Sequence, residues 1–139
     1  MKNYEWIDHT ADVGVRVYGQ DLKEIFINAA SAMFELLATT EKDLSKINPR
    51  EIKVRLDSLN AEALLISWLS ELNFLSDTRR LILKKFDIKK ISSRHLEASV
   101  TGFPRRYFSV GTEIKAVTYH GLKIQKENDR YSTQIIFDV

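Results

Sequence analysis

Near Asp77 the spacing of apolar residues changes from helical to alternating. Upstream, Leu22, Ile25, Phe26, Ala29, Met33, Leu36 and Leu37 recur at three- and four-residue intervals, and Leu64, Leu65, Trp68, Leu69 and Leu72 repeat the pattern. These are the buried stripes of two amphipathic helices. Downstream, residues 81–83, 86–88, 95–100, 113–120, 122–124 and 131–139 follow the period of half-buried strands. A parallel doubly wound sheet needs a helix after most strands, and those helices are missing. The order therefore predicts an α+β fold: a single compact domain over residues 1–139, with two amphipathic helices packed on mostly antiparallel β-structure. A chain of about 150 residues buries roughly 70% of its unfolded surface, so one core holds it without staples.

Local signals place the remaining elements. Strands are expected at 4–8 and 13–18, the second with Val13, Val15 and Val17 on one face. Asp21 followed by Glu24 resembles a capping box and opens the first helix, which should run to about residue 39. Asn48-Pro49 breaks the chain before an alternating strand at 52–56. Asn60 is a suitable N-cap for the second helix. The closing hairpin turns around Glu127-Asn128-Asp129. No repeat, low-complexity stretch or linker interrupts this order.

The chain has no cysteine, which removes disulfides, thiolate zinc sites and cysteine nucleophiles. No apolar run approaches the roughly 18 residues of a membrane span, and the first residues lead into a strand rather than a signal peptide. The expected compartment is the cytoplasm, with no membrane partner. Net charge is only +2, yet residues 1–78 carry 8 Lys/Arg against 13 Asp/Glu and residues 79–139 carry 13 against 6. Most of the excess falls between 79 and 106, in Arg79, Arg80, Lys84, Lys85, Lys89, Lys90, Arg94, Arg105 and Arg106 against Asp87 and Glu97. Such a stretch is either a basic face for phosphates or an acidic partner, or a set of solvated positions on long hairpins.

Several catalytic templates are absent: no G-x-x-x-x-G-K-[ST], no G-x-G-x-x-G, no G-x-S-x-G and no H-E-x-x-H. The five glycines are scattered, which weakens a nucleotide-binding reading. Three polar clusters remain. Asp8-His9-Thr10-Ala11-Asp12-Val13-Gly14 puts two carboxylates, an imidazole and a hydroxyl into one turn. It is a site on a rigid scaffold or a turn whose side chains satisfy its own backbone. Lys115-Ala116-Val117-Thr118-Tyr119-His120 sets Lys115, Val117 and Tyr119 on one strand face and Ala116, Thr118 and His120 on the other. Its lysine either snorkels at a sheet margin or pairs with an acid. In the last strand Ile135, Phe137 and Val139 share a face, which turns Asp138 to the other beside the terminal carboxylate. An ordered, charged strand end is unusual, because chain ends fray.

Taken together these segments resemble the archease family. Residues 9–14, His-Thr-Ala-Asp-Val-Gly, match its first signature. Residues 115–120, Lys-Ala-Val-Thr-Tyr-His, match its second, and Ile135-Ile136-Phe137-Asp138-Val139 matches its ending in an acid and an aliphatic residue. Leu64-Leu65-Ile66-Ser67-Trp68-Leu69 is similar to its second helix, and residues 77–112 match only in general character. The resemblance implies a compact α+β fold and a protein cofactor rather than an enzyme. The implied partner is the RtcB-type tRNA-splicing ligase, whose guanylylation and repeated turnover in tRNA splicing and RNA repair it promotes, with RNA reached through the ligase complex. It also implies a divalent-metal site, usually associated with calcium, made by Asp12, Asp138 and Val139. Oxygen donors of this kind suit a hard cation, and two neighbouring carboxylates repel unless a cation or proton intervenes. His9, Asp8, Lys115 and His120 are then candidates to orient the ligands or face the partner. Two other readings stay open: a metal-dependent phosphohydrolase using Asp12, Asp138 and His9, and a stand-alone RNA-binding module using the basic stretch with Tyr107 or Phe108.

Overall fold

The structure is a computed structural model, and it describes residues 2–7, 12–118 and 121–139. The chain opens with strands β1 (Tyr4–Ile7) and β2 (Val13–Gly19), helix α1 (Leu22–Leu37), and strands β3 (Ala38–Thr39) and β4 (Arg50–Asp57). Helix α2 (Ala61–Arg79) and strands β5 (Leu81–Ile91) and β6 (His95–Pro104) follow. Strands β7 (Ser109–Val110), β8 (Ala116–Thr118), β9 (Gln125–Glu127) and β10 (Arg130–Asp138) complete the fold.

Both helix starts obey the expected chemistry. The Asp21 carboxylate accepts from the Glu24 N–H at 2.9 Å, and the Glu24 carboxylate accepts in turn from the Gln20 N–H at 3.1 Å. At α2 the Asn60 side chain accepts from the Ala63 N–H at 2.8 Å. The ends differ from the expectation. α1 stops at Leu37 because Ala38 and Thr39 pair with Val110 and Ser109. α2 runs past Asp77 and closes at Arg80, whose φ of 57° lies in the left-handed region. The short apolar runs at 81–83 and 86–88 are one strand, broken in register between Leu83 and Lys85 and again between Ile88 and Lys90. The Lys84-Lys85 and Lys89-Lys90 pairs fall at those irregularities, which is why the alternation looked interrupted.

Among the described residues all strand pairings are antiparallel. One sheet runs β1-β2-β10-β8, with β9 also against β10; a second runs β4-β6-β5; and β3 pairs β7. α1 packs on β2 and β10 of the first sheet and on β5 of the second, while α2 packs on β8 of the first and on β4 and β5 of the second. The helices therefore lie between the sheets, and α2 buries a wide arc from Leu64 to Ser76. Trp68 is fully enclosed. Its indole N–H donates to the Phe26 carbonyl at 3.0 Å, and its ring meets Phe86 edge-on at 6.3 Å. From the first sheet Val15, Val17, Ile135, Phe137 and Val117 complete this core. Each fully buried side chain of this size contributes about 1.5–3 kcal/mol, so the inner face pins the register of β2 and β10.

Candidate metal centre

β10 lies between β2 and β8, and its pairing with β2 ends at Phe137 opposite Val13. Beyond that last pair the chain continues into Asp12, which immediately precedes β2, and Asp138, the last residue of β10. Side chains alternate, so Asp138 projects with Ile136 to the side away from the helices, while Val13 and Phe137 turn inward. On the other flank Asp138 is the register partner of Ala116, and its carbonyl accepts from the Lys115 N–H at 2.7 Å. That bond and the buried Phe137 hold the strand end in place, with the Asp138 side chain exposed and Val139 half-buried against the core.

The same outer face carries a second polar group beyond the expected set. Thr118, opposite Ile136, points to this side, and its buried hydroxyl has no hydrogen-bond partner. Further along the face the polar groups are satisfied. Tyr18 donates to Glu5 at 2.5 Å and lies under the Arg130 guanidinium at 4.0 Å, and Arg16 donates to Gln134 at 3.2 Å. That bond to Tyr18, with Lys2 second, holds the Glu5 carboxyl below its usual range and lifts the Tyr18 hydroxyl. Among the described residues no three His, Cys, Asp or Glu side chains converge on one point. Side chains of the described residues therefore do not by themselves close a site. Carboxylates supplemented by main-chain oxygens would be a donor set suited to a hard cation.

The sequence profile of the Archease protein family matches residues 4–139. The chain belongs to the archease family. It is 37% identical to the archease of Methanosarcina barkeri over 144 residues, covering 99% of this chain and 97% of that one. It is 34% identical to the archease of Sulfurisphaera tokodaii over the full length of both. The solution structure of protein 1598 of Methanobacterium thermoautotrophicum superposes with a TM-score of 0.74 at 33% identity, covering all of both chains. A crystal structure from Thermotoga maritima, described as an archease and possible chaperone, shares the fold with a TM-score of 0.69 at 22% identity over 96% of this chain and 94% of that one.

Within this archease fold the residues expected at the site are distributed unevenly. The ladder that closes at Val13 and Phe137 leaves Asp12 and Asp138 as the next residues of its two strands, with Val139 after Asp138. Asp8, His9 and His120 lie outside the described residues. Lys115 precedes β8 instead of lying in it, and its exposed side chain lines a cleft of about 730 Å³ with Asn73, Phe74, Asp77 and Glu113. Thr118 was visible in sequence only as a face-mate of Ala116, and the register gave it meaning. The acidic first half does not form one end of the molecule either. Glu24 opens α1 next to Gly19, at the far end of β2 from Asp12, about 20 Å away at 3.3 Å per residue. No helix among the described residues is long and apolar enough to cross a membrane.

Proposed function

We propose that this archease is a metal-binding activator of an RtcB-type tRNA-splicing ligase, acting through a divalent cation, calcium by preference, held at the open end of β2 and β10. It is a protein cofactor and not itself the catalyst. The observation that supports the reading is that the β2–β10 ladder, closing at Val13 and Phe137, sets side by side the segments that continue into Asp12 and Asp138, 126 residues apart in the chain, at a strand end held by the buried Phe137 and by the bond from Lys115. Facing carboxylates favour a bound cation over mutual repulsion. Asp12, Asp138 and an oxygen of Val139 would hold the ion, with the Thr118 hydroxyl close to the same face. When bound, the ion supplies a fixed positive charge that engages acidic or phosphate oxygens of the partner complex.

The test is RNA end-joining by purified ligase at limiting concentration, in the presence of GTP. Adding this protein should raise the number of turnovers per ligase, and the protein alone should neither hydrolyse GTP nor join ends. Asp12→Ala and Asp138→Ala should each lose most of the activation at physiological divalent-ion levels while keeping the parent's melting temperature within a few degrees. Full activation by either variant would refute the proposed ion site. No stimulation by the parent would refute the ligase assignment.

A further inference from the structure

The basic stretch between residues 79 and 106 does not form one surface, and what the fold does with it is informative. Lys85, Lys90 and the carboxylates of Asp87 and Glu97 share the outer face of the β4-β6-β5 sheet, with Glu51, Lys53, Arg55 and Asp57 of β4 beside them. Lys89 is ion-paired to Asp87 at 2.5 Å, and His95 is bracketed by Asp57 and Glu97. That face is largely self-neutralised.

The arginines behave differently. The β5–β6 hairpin returns the chain so that Leu81 pairs with Pro104, and this brings Arg80 beside Arg105, whose N–H donates to the Arg80 carbonyl at 2.9 Å. Arg79, Arg80, Arg105 and Arg106 thus converge from two segments. Among the described residues no carboxylate forms an ion pair with any of them. Arg80, Arg105 and Arg106 line an open hollow of about 390 Å³, completed by Pro104 and Val110. Ser76 anchors Arg105 by accepting from its guanidinium at 3.0 Å, while the Arg105 Nε–H has no acceptor in the protein. Arg106 lies over the Tyr107 ring at 4.8 Å, and Lys42 reaches the same ring at 5.9 Å, so positive charge continues past the hollow. Arg80 occupies a left-handed backbone position that glycine takes without strain. Strain of that kind is retained where the side chain has work to do. On the other side Arg105 also lines the neighbouring cleft, which Asp77 and Glu113 share.

We propose that Arg80, Arg105 and Arg106 form a seat for consecutive phosphates of single-stranded RNA, with the Arg106–Tyr107 stack presenting a planar surface to a base. Unpaired guanidiniums recognise phosphate oxygens through fixed forks of N–H donors, and arginine planes on aromatic rings are the usual support for unstacked bases. A single anion would occupy one guanidinium fork, whereas a linear polyanion offers a phosphate to each of the three. The site is independent of the Asp12–Asp138 end and needs no ligase, so its failure and that of the ligase reading are separable.

The experiment is fluorescence anisotropy of a dye-labelled short single-stranded RNA titrated with the full chain across roughly 50 to 200 mM salt, alongside a glutamate-rich peptide of equal length. Three phosphate contacts predict that log Kd rises with log salt at a slope of about 2, single strands giving about 0.7 per contact. Arg80→Gly combined with Arg106→Ala should weaken binding by about tenfold or more and lower the slope by about 1.4. Arg80→Gly relieves the left-handed backbone, so it should melt at or above the parent's temperature and still bind RNA less well. Lys85→Ala with Lys90→Ala removes the same charge from the self-neutralised face and should shift Kd by less than about twofold. An undetectable RNA complex with the parent, or equal losses from both double variants, overturns the proposal. Tighter binding of the acidic peptide, lost in the arginine variant, also overturns it and assigns the surface to an acidic protein segment.

Discussion

Phe137 and Asp138 are adjacent in β10, and replacing each by alanine separates what holds the candidate site from what the site presents. Phe137 is fully buried among Val15, Val17, Ile135 and the helices. A buried aromatic side chain removes about 150–250 Å² from water, worth about 4–6 kcal/mol at 25 cal/mol per Å² as an upper bound. Truncation to alanine, with the cavity it leaves, typically costs about 3–5 kcal/mol. Against a total stability of about 5–15 kcal/mol, Phe137→Ala removes a large fraction. For a chain of 139 residues, each kcal/mol moves the melting temperature by about 3–5 °C, so the expected drop is about 10–20 °C. The Asp138 side chain is exposed, and its removal should change stability by less than about 0.5 kcal/mol. Thermal melts paired with urea titrations measure both: Phe137→Ala should lower the urea midpoint at an unchanged slope. A loss below about 1.5 kcal/mol for Phe137→Ala would show that the end of β10 is not pinned by the core. The ordered carboxylate platform would then be refuted, as it would if Asp138→Ala proved the more damaging change.

Two further outcomes follow from the second sheet. His95 has both ring nitrogens on carboxylates, Glu97 at 2.6 Å and Asp57 at 2.7 Å, and the bond to Glu97, then that to Asp57, raises its pKa above the ordinary 6.5. The stabilisation is fully present below pH 6.5 and is lost as pH rises through the higher folded value, so the melting temperature should decline across that window in the parent and not in His95→Gln; parallel pH profiles for the two proteins would show that the bracket contributes nothing. At Gly102 a Cβ would stand 2.6 Å from the Ile82 carbonyl oxygen, with β5 too tightly paired to give way. Gly102→Ala should cost about 1–3 kcal/mol by urea denaturation, and an unchanged midpoint would place the two strands further apart than the register requires.

Much of this protein is local and could be read without coordinates. Asp21-x-x-Glu24 and Asn60 start their helices because a short side chain satisfies N–H groups three residues on, which depends on nothing distant. The apolar stripes and alternations named the core face of nearly every element, and the family signatures agreed with the order. What local signals missed were outcomes of competition and register. α1 gives up Ala38 and Thr39 to a pairing with residues 109–110, and β5 absorbs its two lysine pairs at irregularities, because partner strands decide where backbone hydrogen bonds go. Asp12 and Asp138 are candidates in sequence, but only the β2–β10 ladder brings the segments that carry them side by side, and only the pairing of Thr118 with Ile136 turns its orphaned hydroxyl to the face of Asp138. The basic stretch shows the same division. Its charge count is a property of the sequence, yet hairpin geometry pairs Lys89 with Asp87, sets Lys85 and Lys90 among carboxylates on one sheet face, and gathers Arg80, Arg105 and Arg106, without an ion pair among the described residues, at the open end. Composition determines how much charge a chain carries; which charges are neutralised depends on distances of a few ångströms, and those exist only once the strands have chosen their register.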